Sequence, residues 1–265
     1  MNIIVFITHA TLTLQHAKMT FMSLANSKDP IEFDEILIYN THQKDLPNQE
    51  ILKLYNYFNI EFIKKIVFFD YDENTHKSLG GDLQAIKEYC NNHYQPNDNL
   101  LLLKSDCLLS INFINELSKL KNLNNEFIFV APLINAKQSV TDQELEEYIK
   151  LPFAILSSDN TFFMEDEILS SDNDFRNRPG VKPGDDIIKY ISCTVKRDWS
   201  CHYLPNKIFN QVLLSIKDWG GCSFEHLKQY WIGSYKSFVV HKYHSILSEN
   251  RKEERPGEWG KWLEK

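Results

Sequence analysis

The sequence predicts an α/β fold in which a mostly parallel central sheet is flanked by helices, and three observations carry that expectation. Four short runs are apolar without interruption: Ile3–Ile7, Ile36–Tyr39, Ile66–Phe69 and Leu100–Leu103. A strand with no polar face is one covered on both sides, as central strands of parallel sheets are. Between the runs lie segments with helical periodicity and room for ten or more residues. Strands alternating with such helices imply parallel crossovers rather than hairpins. Each run also ends on a polar or acidic residue at its exit, the edge where open α/β sheets bind ligands.

In chain order, Ile3–Ile7 leads out to Thr8 and His9. Leu12, His16, Met19 and Leu24 then share roughly one helical face, and that helix is expected to end before Asp29-Pro30. Ile36–Tyr39 is the second strand, exiting through Asn40, Thr41 and His42. Ile51, Leu54, Tyr55 and Phe58 follow at i, i+3, i+4 and i+7, the spacing of a helix that buries one face. Ile66–Phe69 is the third strand, with Asp70 at its exit. The segment Thr75–Asp82 precedes a helix marked by Leu83, Ile86 and Cys90. Asn99–Asp106 holds four leucines in a row and ends on a single acid.

Thr8, Asn40 and Asp70 thus present hydrogen-bonding groups at three strand tips, and Tyr39 offers a ring for a planar base. Gly80-Gly81, read as lying just before a helix, would bring backbone N–H groups and the helix dipole to a phosphate, with Lys77 adding charge. Asp82 as an ordinary helix cap is the plainer reading of the same residues. There is no Gly-Lys-Ser/Thr of a P-loop and no Gly-x-Gly-x-x-Gly. Asp106 either caps the turn into a helix expected from about Ile111 or holds a hard divalent cation on a phosphorylated ligand.

Composition narrows the classes. Hydrophobic residues make up 43% of 265, enough for a substantial core. A net charge of −7 and a pI near 5.7 argue against nucleic acid as a partner, which needs a basic surface. No apolar run approaches the ~18 residues of a membrane span, and the start lacks the charged and apolar regions of a signal peptide, so a cytoplasmic protein is expected. Five cysteines without a Cys-x-x-Cys pair indicate buried thiols rather than a disulfide framework or a zinc site.

Past Leu103, Phe127–Ala131 reads as a strand, and Asn135–Lys150 as a polar loop with a short helix. Phe153–Leu156 and Thr161–Met164 read as strands, and 170–184 as a loop rich in Asp, Asn, Pro and Gly. Gly184-Asp185-Asp186 ends that loop before an apolar segment, so either acid can serve as a helix cap. Ile208, Phe209, Val212, Leu213 and Ile216 form a helical stripe suited to a core. Glu225 follows Trp219-Gly220-Gly221 and can sit in a helix first turn. Phe238–Val240 is a last strand, running into His241 and His244; the charged stretch 249–265, with Trp259 and Trp262, reads as a tail.

This layout, with a glycine-opened helix near the phosphates and a leucine strand ending in an acid, resembles the GT-A nucleotide-sugar glycosyltransferases, especially their large family-two group. The resemblance covers roughly residues 1–190, with weaker support to 248. It implies a GT-A type fold: a Rossmann-like, mostly parallel central sheet with a mixed C-terminal acceptor-side half. One domain would span 1–265, with a nucleotide-sugar-binding half at 1–107, an acceptor-side half at 108–248 and the tail at 249–265. Lys104-Ser105-Asp106 stands at the family's Asp-x-Asp, so Asp106 is the implied metal ligand, while Lys104 replaces the acid that contacts the ribose. Asp185-Asp186 stands at the Gly-Glu-Asp motif, which makes Asp186 the implied catalytic base, with Asp185 and Glu225 as the other candidates. His241 or His244 would supply a further metal ligand.

The resemblance also implies Mn²⁺ or Mg²⁺ as cofactor, a UDP-sugar as donor, and a glycan or other hydroxyl compound as acceptor. Two other readings remain open. A nucleotidyltransferase that makes activated sugars also joins a parallel sheet to a metal-bound acid, but Thr8-His9-Ala10-Thr11 stands where it would carry a glycine-rich basic loop. A non-catalytic sugar-nucleotide-binding protein on the same scaffold is kept open by Lys104.

Overall fold

The structure is a computed structural model that describes residues 1–8, 14–41, 43, 46–69, 79–105, 107–122, 126–131, 133–136, 140–151, 201–214, 222–223, 225–233 and 237–241. Its sheet begins with the four apolar runs. They form β1 (Asn2–Thr8), β2 (Glu35–Asn40), β3 (Ile66–Phe69) and β4 (Asn99–Lys104). β1 pairs in parallel with both β2 and β4, and β3 pairs in parallel with β2. Because β1 has a neighbour on each side, its residues Ile3–Ile7 are fully buried. Alternate side chains enter opposite faces: Ile3, Val5 and Ile7 join one apolar cluster, Ile4 and Phe6 the other. β3, at the edge of the sheet, is only half-buried throughout.

The helices between these strands follow the sequence closely. They are α1 (Leu14–Ala25), α2 (Asn48–Phe58) and α3 (Leu79–His93). α2 stops at Asn59, whose φ of 45° is left-handed, a conformation that asparagine tolerates and that lets its N–H reach Tyr55 O at 3.2 Å. α3 starts earlier than the sequence suggests, so Gly80 and Gly81 lie inside its first turn rather than before it.

After β4 the chain forms a further strand, β5 (Cys107–Leu109), before the short helix α4 (Phe113–Leu117) and a 3-10 turn at Ser118–Asn122. The capping position of α4 belongs to Asn112. Asp106, read either as a cap of the turn into this helix or as a metal ligand, lies outside the described residues.

The later part contributes β6 (Ile128–Val130), β7 (Leu133–Asn135), α5 (Asp142–Tyr148), β8 (Cys201–Pro205), α6 (Asn206–Phe209), β9 (Leu213–Leu214), β10 (Cys222–Ser223), β11 (Trp231–Gly233) and β12 (Val239–His241). The short helix expected within 135–150 is α5, opened by a capping box in which Thr141 and Glu144 bond reciprocally. The helical stripe expected over 208–216 is broken within its described part, 208–214, while Ile216 lies outside the described residues. α6 lasts four residues, the chain turns through i→i−3 bonds at Gln211 and Val212, and Leu213, 61% exposed, enters a hairpin with β10.

β8 has no counterpart in the sequence reading, yet it joins the two parts of the chain. The main sheet has the order β11-β6-β8-β4-β1-β2-β3, with β8 antiparallel to both β4 and β6 and the other described pairings parallel. A second sheet, β5-β12-β7, has β12 antiparallel to β5 and parallel to β7. Cys90, Cys107 and Cys201 are buried. No helix among the described residues is long and apolar enough to cross a membrane.

Candidate active site

The carboxyl ends of β1, β2 and β4 lie side by side, with Thr8 in register with Asn40 and Ile7 in register with Lys104. Thr8 and Asn40 are not open groups awaiting a ligand, because both are fully buried and bonded to each other. The Thr8 hydroxyl donates to Asn40 Oδ1 at 2.9 Å and accepts the Thr41 N–H at 2.8 Å. Asn40 Nδ2 donates to Leu46 O at 2.7 Å and to Asn48 Oδ1 at 2.9 Å. Buried amides and hydroxyls need such partners, and here the nearest ones belong to the loop after β2.

Tyr39 likewise does not present its ring to a base. It is fully buried, packs on Phe69 with ring centroids 5.1 Å apart, and its hydroxyl donates to Asp82 Oδ1 at 3.2 Å. Strand alternation turns it into the same cluster as Val5 and Leu37. Asp82, 5% exposed, lies in the first turn of α3 together with Gly80 and Gly81. A carboxylate already favours the positive end of that helix, and a phosphate arriving there meets a like charge. Asp70 and Lys77 lie outside the described residues.

At the tip of β4, Lys104 is half-buried. Ser105 is fully buried and held from two sides: its N–H donates to Ile7 O at 3.1 Å, and its carbonyl accepts from Thr20 Oγ1 at 2.6 Å. Its own hydroxyl meets no hydrogen-bonding partner among the described residues. A buried orphan hydroxyl is uncommon and calls for an explanation, such as a missing ligand. Asp106, the next residue, lies outside the described ones, but both its neighbours are placed.

Across from it, the second sheet brings in the end of the chain. His241 is in register with Cys107 on β5 and with Asn135 on β7, so one rung carries all three. Residues directly opposite in an antiparallel pair have Cα atoms about 4.5–5.5 Å apart. The backbone of His241 is thus one ladder step from the residue that follows Asp106. Asp185, Asp186 and His244 lie outside the described residues. Glu225 opens a 3-10 helix, Glu225–Tyr230, which leads into the edge strand β11. No group of three metal-ligating side chains occurs among the described residues.

Thr41, Asn48 and Asp82 complete the bonding of the strand tips, and sequence reasoning gave none of them that part. A residue's partners across a sheet edge depend on register, which leaves no local mark. Another such contact is Gln15 Nε2 to Asp142 Oδ2 at 2.5 Å, which ties the starts of α1 and α5 together.

A mostly parallel sheet with an antiparallel β8 between β4 and β6, backed by a small mixed sheet, is a fold of the GT-A type seen in nucleotide-sugar glycosyltransferases. In structure the chain is similar to S. aureus TarS, with a TM-score of 0.51 and 10% identity over 95% of this chain and 40% of that one. It is similar to the same degree to GalNAc-T7, solved with UDP, GalNAc and Mn²⁺, with a TM-score of 0.51 and 12% identity over 91% of this chain and 44% of that one. The chain thus spans less than half the length of either. No protein-family model matches the sequence, and no curated protein matches it.

Proposed function

We propose that this chain is a metal-dependent glycosyltransferase that moves a sugar from a nucleoside diphosphate donor, UDP-sugars first among them, to a hydroxyl acceptor such as a glycan. The observation that carries the reading is the meeting of β5 and β12 at the tip of β4, which sets His241 opposite Cys107, the residue after Asp106. The fold supports the donor class, since the similar GalNAc-T7 structure holds UDP and Mn²⁺.

The residues suit a divalent cation. A carboxylate from Asp106 and an imidazole from His241, or His244 in its place, are donors that Mn²⁺ accepts, and Mg²⁺ accepts the carboxylate. The orphaned Ser105 hydroxyl beside Asp106 is consistent with a ligand completing its bonding there. When bound, the metal would neutralise charge developing on the leaving diphosphate.

In this reading Asp186 takes the proton from the acceptor hydroxyl if the anomeric centre inverts, with Asp185 and Glu225 as the other acids within the acceptor-side part, 108–248. Lys104, where the family has an acid, contributes positive charge on the donor side. A thermal-shift screen of nucleoside diphosphates and their sugars, with and without Mn²⁺, tests the donor class, since a ligand that binds only the native state raises Tm. Stabilisation by one nucleotide that needs the metal is the expected result. No shift with any nucleotide would remove the reading. Release of UDP from the stabilising sugar nucleotide then separates an enzyme from a binding protein.

A further inference from the structure

Thr8 and Asn40, the last residues of β1 and β2, both bond to one stretch of chain, the connection between β2 and α2. Asn40 Nδ2 holds it at two points, Leu46 O at 2.7 Å and Asn48 Oδ1 at 2.9 Å. Thr8 holds its beginning, accepting the Thr41 N–H at 2.8 Å while its carbonyl accepts from Thr41 Oγ1 at 2.5 Å. The two anchors are fully buried and joined to each other at 2.9 Å. Leu46, 1% exposed, adds an apolar foot in the cluster that holds Ile38 and Ile51. The connection leaves the carboxyl edge of the sheet beside the tip of β1, where the crevice of an open α/β sheet takes its ligand.

We propose that Asn40 and Thr8 are positioning residues: they hold Thr41, Leu46 and Asn48, at the two ends of the connection between β2 and α2, as a fixed part of the nucleotide site's edge and do not themselves touch the nucleotide. The chemistry separates the two roles. Both hydrogens of the Asn40 amide face oxygens, so only an amide in this orientation closes the network. An aspartate at this position would set a carboxylate against the Leu46 carbonyl and the Asn48 Oδ1, acceptor facing acceptor. If Asn40 instead touched the nucleotide, a carboxylate could still accept a bond from a base or ribose. The loop's part in nucleotide binding rests on the donor reading given above; its attachment to Asn40 does not.

The test has two arms. In the ligand-free protein, hydrogen exchange is measured at the amides of Thr41, Gln43 and Leu46 for wild type, Asn40→Ala and Asn40→Asp. Leaving a buried polar partner unsatisfied, each variant should speed exchange by about tenfold or more. Asn48, only half-buried, gives a milder probe that preserves the buried hub. Asn48→Ala should give a smaller increase, and Asn48→Asp, which keeps the accepting oxygen, should reverse it. In the second arm, UDP is titrated in the presence of Mn²⁺, and both Asn40 variants should bind it about tenfold more weakly. Unchanged exchange in both Asn40→Ala and Asn48→Ala overturns the proposal, as does wild-type UDP affinity in Asn40→Asp. Should the wild type bind no UDP, the donor reading falls, and the exchange arm alone decides whether Asn40 holds the loop.

Discussion

The two parts of this chain build the same core in opposite ways. Residues 2–109 supply strands of four to seven residues, apart from the three of β5, and their apolar runs are continuous. The described strands between 126 and 241 have two to five residues, and most have three. A long apolar strand specifies burial by its own composition. A three-residue strand exists only because a neighbour pairs with it, since so short a segment cannot offset its ordering entropy alone. The difference shows where information sits: in the first part it is in the residues, in the second it is in the partners.

The largest expected effect tests whether the two parts unfold as one. Leu102 on β4 and Leu204 on β8 are both fully buried, in paired strands drawn one from each part of the chain. Leu102→Ala and Leu204→Ala should each cost about 3 kcal/mol, within the range for buried leucine truncation. Urea denaturation should show one transition moved to lower concentration in both variants. Two separate transitions, each moved by only one substitution, would divide the chain into independently stable units.

Next comes the junction of the two parts at the proposed metal site. Asp106→Asn keeps the size but removes the charge, and should abolish the gain in UDP affinity that Mn²⁺ provides, about tenfold or more. His241→Ala should do the same, by a smaller factor. A Mn²⁺ gain that survives both substitutions would detach this rung from metal binding and leave the second sheet a purely structural element.

Helix capping offers a smaller, local comparison. Thr141→Ala removes the side chain that accepts the Glu144 N–H at 3.2 Å, and should cost about 1 kcal/mol. Global stability from chemical denaturation checks this, and a loss near zero would mean α5 is held by packing alone, through Leu145 and Ile149.

The pH response compares one carboxylate from each part. The Thr141 backbone N–H, then its hydroxyl, hold the Glu144 carboxyl below its ordinary range. For Asp34 the Asn2 N–H does so first, and Lys64 assists. A carboxyl lowered in the folded state stabilises the fold above its unfolded pKa, about 4 for these side chains, and loses that contribution as pH falls through the folded value. Two-dimensional NMR titration should find both midpoints below those the same carboxyls show in the urea-unfolded protein; equal midpoints would contradict it. The smallest effect is expected at Leu213, 61% exposed, where Leu213→Ala should change stability by less than about 0.5 kcal/mol in the same denaturation measurement.

What the sequence determined by itself was the alternation of strand and helix through Leu103, the burial of three of the four apolar runs, with the edge run Ile66–Phe69 only half-buried, and the type of fold these imply. Hydrophobic period and run length are local properties, and they survive in any context that buries them. It also showed that the tip of the leucine run carries Lys104, Ser105 and Asp106, because a strand's exit residue is read directly from its order. Tertiary structure decided which polar groups at those tips are spent. Thr8, Tyr39 and Asn40 look available in the sequence and are consumed in the fold by Thr41, Leu46, Asn48 and Asp82. It decided that Cys201–Pro205, which ends in proline and has no clear period, is an inner strand of the main sheet, its place given by pairing with β4 and β6. It also set His241 opposite Cys107, a pairing of residues far apart in the chain that depends on register alone.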